Sequence, residues 1–153
     1  DILNKSFSSN KYFLLRHGLA ETNIKKILSS DYRKKYSLTN KGIKQIIAAA
    51  KKLKKLLKEE KIDIIFSSDI LRCKESANII KRELKFKGKI ILRKELREID
   101  LGEWEGRSID ELKKYLSKNL EGYLSDGLKG GESWNDFKRR VLKFIEEVEK
   151  KYQ

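Results

Sequence analysis

Two rhythms of apolar residues alternate along the 153 residues of this chain. Three short continuous apolar runs predict buried strands: Tyr12-Phe13-Leu14-Leu15, then Ile62 with Ile64-Ile65-Phe66, then Ile90-Ile91-Leu92 with Lys89 at its start. After the first, Ile43, Ile46, Ile47, Ala50, Leu53, Leu56 and Leu57 recur at helical spacing and form one apolar face, with Thr39 or Asn40 as the N-cap. A second helix is predicted over 70–84. Ser108 caps a third that runs to Leu116, and a last helix runs from Trp134 to the end. Residues 19–37 and 96–106 read as irregular, and Gly127 to Gly131 as a flexible turn. The order strand, helix, strand, helix, strand predicts an α/β fold: three layers, doubly wound, with a mainly parallel sheet.

Such sheets bind ligands beyond the carboxyl ends of their strands. Arg16-His17-Gly18 follows the first strand directly, and Ser67-Ser68-Asp69-Ile70-Leu71-Arg72 follows the second. Glu98 comes a few residues after the third. The topology therefore lets all three converge at one edge.

The residue types at that edge suit phosphoryl chemistry. His17 is the only histidine, and a histidine is commonly a polar loop or core residue satisfied by a backbone carbonyl. Here it lies between an arginine, whose planar fork matches phosphate oxygens, and a glycine that permits close backbone approach. An imidazole nitrogen attacks phosphorus when its partner nitrogen is held by a hydrogen bond. Arg72 could be a surface arginine in the first turn of its helix. The tight polar turn before it argues instead for an anion site at a helix start. Glu98 is placed to act as a general acid, with Glu95, Asp100, Glu103 and Glu105 as competitors; holding that proton near neutrality requires burial to raise its pKa. Cys73 reads as a small packed residue, because the cysteine phosphatase signature needs an arginine where Ile79 stands. No Gly-Lys-Ser/Thr phosphate loop and no metal-ligand cluster are found.

Charge changes this picture only slightly. A net charge of +14 invites a nucleic-acid reading, but the lysines lie along helices, as in Lys51-Lys52-Leu53-Lys54-Lys55, where a solvated face looks the same. Nucleic acid is therefore not the expected partner; attraction of small anionic substrates is. No apolar run approaches the roughly 20 residues that span a bilayer, so no membrane partner is expected. Residues 1–10 have no signal-like pattern and read as a loosely ordered extension. One cysteine makes a reducing cytoplasm the expected compartment. Oligomeric state has no signature in the pattern.

The motifs resemble those of the histidine phosphatase superfamily, the phosphoglycerate mutase-like proteins. Leu15-Arg16-His17-Gly18 with Asn23 is similar to the opening signature, and Leu38-Thr39-Asn40-Lys41-Gly42 with Gln45 to the second block. Ser67 to Arg72 with Ser76-Ala77 resembles the third, Leu96-Arg97-Glu98 with Gly102, Trp104, Glu105 and Gly106 the fourth, and Gly130-Gly131-Glu132-Ser133 the fifth. The resemblance implies that His17 carries the phosphoryl group, that Arg16, Asn23 and Arg72 hold its oxygens, and that Glu98 donates the proton. It implies neither metal nor cofactor. The expected activity is phosphomonoester hydrolysis of small phosphorylated metabolites, since only 107–129 separate the fourth and fifth blocks, shorter than the insertion of the mutases. A phosphoglycerate mutase and a catalytically impaired phosphate or nucleic-acid binder are the alternatives. The family has a second catalytic histidine after one more strand, and this sequence, which also lacks methionine and proline, ends within its last helix. Residues 11–153 are accordingly read as one domain lacking its carboxyl-terminal strand.

Overall fold

In a computed structural model, which describes residues 10–152, the Thr39 side chain accepts a hydrogen bond from the Gly42 N–H at 3.0 Å and starts the first long helix. All but Asn10 of the extension expected over 1–10 lies outside the described residues. In chain order the elements are α1 (Glu21–Lys25), α2 (Asn40–Leu57), β1 (Ile65–Ser67), α3 (Leu71–Glu83), β2 (Ile90–Leu92), α4 (Ile109–Ser125) and α5 (Trp134–Lys151). Single 3-10 turns lie at Lys94–Leu96 and Gly102–Trp104. Ser108 and Ser133 cap α4 and α5 by accepting from Asp110 and Asp136 N–H groups.

The strands β1 and β2 pair in parallel, Ile65 opposite Ile90 and Ser67 opposite Leu92, with α3 as the crossover. Adjacent residues of β1 face opposite ways. Ile65 packs on the cluster of Ile46, Ala50, Ile79 and Ile80 from α2 and α3. Phe66 meets Phe144 of α5 edge to face, with ring centroids 5.2 Å apart. Helices thus cover both faces of the strands, which is the expected three-layer α/β arrangement with a parallel sheet. A second cluster, Ile99, Leu101 and Leu128 with Leu112, Tyr123 and Phe137, fastens the irregular 96–106 stretch to α4 and α5. No helix among the described residues is long and apolar enough to cross a membrane.

Four expectations are corrected. The strand expected at Tyr12 to Leu15 does not form: Leu14 is 96% exposed, and these residues join no ladder. A strand exists only through a hydrogen-bonded neighbour, and no described segment forms a backbone ladder with these residues. The second strand starts at Ile65, not Ile62, because pairing extends only as far as three-residue β2. The stretch 19–37 contains α1, started by Asn23 Oδ1 accepting from the Ala20 N–H at 2.8 Å. Helix α4 continues past Leu116, through a kink at Asn119, to Ser125, because Tyr123 docks on the second cluster.

The backbone before the site rests directly on α2. A Cβ added at Gly18 would fall 2.4 Å from the Gly42 carbonyl oxygen, and one at Gly42 would fall 2.1 Å from the Leu19 carbonyl oxygen. Leu19 in turn accepts from the Thr39 N–H and hydroxyl at 2.9 and 3.0 Å. The substitution Gly42→Ala must push these segments apart and is expected to cost about 2 kcal/mol. Urea unfolding checks this; an unchanged midpoint would contradict the contact.

Candidate active site

Parallel β1 delivers Ser67 and Ser68, both buried, to the start of α3, and Ser68 Oγ accepts from the Ile70 N–H at 3.3 Å. One residue into the helix, Arg72 points back under this turn and is only 5% exposed. Its Nε–H donates to His17 Nε2 at 3.1 Å, and Nη2 donates to the Ser29 carbonyl at 2.9 Å. Ser76, one turn further along α3, donates to the Arg72 carbonyl at 2.8 Å and accepts from the Gly18 N–H at 3.4 Å. The loop bearing His17 is thereby tied to α3 through a side chain and through a backbone group.

These contacts define the imidazole. A guanidinium has no acceptor, so His17 Nε2 must present its lone pair to Arg72. The ring proton then sits on Nδ1, which donates to the Gly18 carbonyl at 2.7 Å. Desolvation by burial holds the His17 pKa below its ordinary value of 6.5, and the charges of Arg72 and Arg16 push it the same way. The Gly18 carbonyl and the Glu98 carboxylate oppose the shift. A neutral ring with Nε2 unprotonated is the form that can attack phosphorus.

The five residues picked out in the sequence divide as follows. His17 and Arg72 are in direct contact, and Arg16 and Glu98 both act on the imidazole electrostatically. Arg16 is exposed. Asn23 uses Oδ1 to start α1, which leaves the amide nitrogen as its donor end. Glu98 departs from expectation in being exposed, not buried; its Oε1 accepts from the Ile99 N–H at 3.1 Å. Burial raises the Cys73 thiol pKa, which suits a packed residue and not a nucleophile.

Three contributions were missed. The Ser29 carbonyl orients Arg72, and a backbone acceptor has no residue-type signature. Ser76 stood within the third motif block, whose hydroxyl at one helical turn from Arg72 was the available signal. Arg97 forms a two-pronged ion pair with Asp69, Nε to Oδ1 at 2.6 Å, and lies 3.8 Å over the Tyr32 ring. It links the 19–37 segment to the turn before Arg72, and its hydrogen bonds, helped by its charge, lower the Asp69 pKa.

The sequence profile of the histidine phosphatase superfamily (branch 1) matches residues 12–153. The chain belongs to that superfamily. Among curated relatives, it is 33% identical over 140 residues to a broad-specificity phosphatase of Saccharomyces cerevisiae, covering 90% of this chain and 57% of the relative. It is 31% identical over 135 residues to the fructose-2,6-bisphosphatase TIGAR of Xenopus tropicalis, covering 87% and 47%. Among solved structures, a mycobacterial glucosyl-3-phosphoglycerate phosphatase superposes with a TM-score of 0.71 at 22% identity, over 89% of this chain and 65% of that one. That likeness bears on the fold. The chain spans about half the length of the two curated relatives.

Because His17 is the only histidine of this superfamily member, its titration can be followed without assignment. Its midpoint is expected below 6.5 by NMR. Arg16→Ala removes a neighbouring positive charge and should move the midpoint upward. The unfolded chain takes up this proton at a higher pH than the folded protein. The stabilising contribution is therefore whole above 6.5 and lost as pH falls through the depressed value. A midpoint above 6.5 would contradict the half-buried, doubly flanked ring.

Proposed function

We propose that this protein is a phosphomonoesterase that works through a phosphohistidine on His17. The observation that carries the reading is the Arg72 Nε–H donated to His17 Nε2, with Nδ1 held by the Gly18 carbonyl. That pair of contacts aims the one nucleophilic nitrogen at a guanidinium that still has donors for an anion. Membership of the histidine phosphatase superfamily and similarity to proteins named as phosphatases support it.

In the first step the Nε2 lone pair forms a bond to phosphorus as the ester P–O bond breaks in line. Arg72 turns its N–H groups from the imidazole to the equatorial phosphoryl oxygens, with Arg16 and the Asn23 amide on the others. Charge spread over those oxygens is what the two guanidiniums stabilise. Glu98 gives its proton to the departing alkoxide, and its exposed position suits contact with a substrate arriving from solvent. Water then attacks the phosphoryl group and gives a proton to Glu98. The N–P bond breaks, releasing inorganic phosphate and restoring neutral His17.

The substrate class is small phosphorylated metabolites, drawn in by a chain of net charge +14. Residues 11–153 belong to a single histidine phosphatase domain, and the lone Cys73 suits a reducing cytoplasm.

Quenching the full-length protein in alkali during turnover should trap phosphate on His17 in a bond that survives base and is lost on acid treatment. His17→Ala should lose at least about a thousandfold in kcat/KM, and Glu98→Gln about a hundredfold on an alkyl phosphate. Phosphatase activity retained by His17→Ala would refute the assignment. Interconversion of phosphoglycerates without phosphate release would point to the mutase, and salt-sensitive nucleic-acid binding without hydrolysis to the binding protein.

A further inference from the structure

The Glu98 carboxylate is exposed, and among the described residues its hydrogen bond is to the N–H of its own neighbour, Ile99. Its place is therefore set by the backbone that bears it. That backbone, residues 95–103, has no regular ladder to hold it, yet it is gripped from two sides.

The first grip is Arg140, on the first half of α5. Nη1 donates to the carbonyls of Glu95 and Arg97 at 2.6 and 3.2 Å, and Nη2 to the carbonyl of Glu98 at 3.4 Å. Nε and Nη2 also donate to the two carboxylate oxygens of Glu132, at 2.8 and 2.6 Å. Both partners are largely buried, and the guanidinium stacks 4.9 Å from the Phe137 ring. All five N–H donors of Arg140 are thus matched by protein acceptors.

The second grip is the glycine-rich turn before α5. A Cβ at Gly131 would meet the Asp100 carbonyl oxygen at 2.4 Å, so the two loops touch backbone to backbone. Glu132 N–H donates to the Asp100 carbonyl at 2.9 Å, and Glu103 N–H to the Lys129 carbonyl at 3.0 Å. Glu132 therefore anchors its own backbone against the segment while its carboxylate orients the arginine that holds it.

We infer that Arg140, locked by Glu132, is a positioning residue that sets the reach of Glu98 toward the leaving-group oxygen. The inference rests on the reading of Glu98 as proton donor. With no N–H left over, Arg140 does not bind substrate; it acts through the carbonyls of 95–98. Losing it leaves three carbonyls without their donor and lets the proton donor drift, and a misplacement of about 1 Å can cost as much as a hundredfold.

A series of aryl phosphates separates this from a merely structural role. The phenolate of 2,4-dinitrophenyl phosphate leaves unprotonated, 4-nitrophenyl phosphate is intermediate, and phenyl phosphate needs the acid. In the full-length protein Glu98→Gln should lose kcat/KM steeply toward phenyl phosphate. Arg140→Met should show the same slope at smaller size, about tenfold on phenyl phosphate and under about threefold on the dinitrophenyl ester. The double variant should be no slower on phenyl phosphate than Glu98→Gln alone. Glu132→Gln, which leaves the arginine in place, should shift the slope in the same direction and decides the matter if Arg140→Met does not fold. Equal losses on all three esters, or none on phenyl phosphate, would overturn the role of Arg140 while Glu98→Gln keeps its slope. A flat profile for Glu98→Gln would instead overturn the proton-donor reading, and the positioning role with it.

Discussion

Burying a guanidinium is costly unless acceptors surround it, and the fold meets that cost at Arg72 by bringing three distant segments to one side chain. Residue 72 itself comes from the helix that follows β1, His17 from the loop near the amino end, and Ser29 from the stretch between α1 and α2. Removing the arginine would leave a ring nitrogen and a carbonyl without their shared donor. The same contacts that hold the loops together decide the tautomer of the imidazole. Structural and chemical roles are one arrangement here.

Arg72 and Arg140 make an instructive pair. Both are buried or nearly so, and both bridge segments far apart in the chain. Arg72 spends one Nε–H on His17 and one Nη2 donor on Ser29, so donors remain for an anion. Arg140 has committed every donor to Glu132 and to the carbonyls before and at Glu98. The first keeps donors for the anion of the proposed reaction; the second holds only protein groups. Counting donors against acceptors separates the two roles without reference to the distance from His17.

Arg97 extends the same logic outward. Its ion pair with Asp69 and its stacking on Tyr32 join the turn before Arg72 to the segment that precedes α2. Glu105 reaches the same segment by accepting from the Ser30 N–H at 2.7 Å and from its hydroxyl at 3.0 Å. Short irregular stretches, which a small sheet cannot order through ladders, are ordered instead by charged side chains reaching between them.

Much of the fold was legible because the information is local. The helix of Ile46, Ala50 and Leu57 follows from a 3.6-residue period, its start from Thr39, and the parallel β1–α3–β2 unit from two apolar runs around an amphipathic one. The residues of the candidate site could be named from the sequence, because Arg16-His17-Gly18 at the end of an apolar run and Arg72 at the end of a polar turn are chain-order facts. Tertiary structure alone decided the rest. The apolar run 12–15 was no strand because pairing requires a neighbour that residue types cannot supply. Glu98 was exposed and α4 ran to Ser125 because burial depends on what packs where, as with Tyr123 on Ile99 and Leu101. The tautomer of His17 was decided by which groups face its two nitrogens, and that choice exists only once Gly18, Ser29 and Arg72 have met in space.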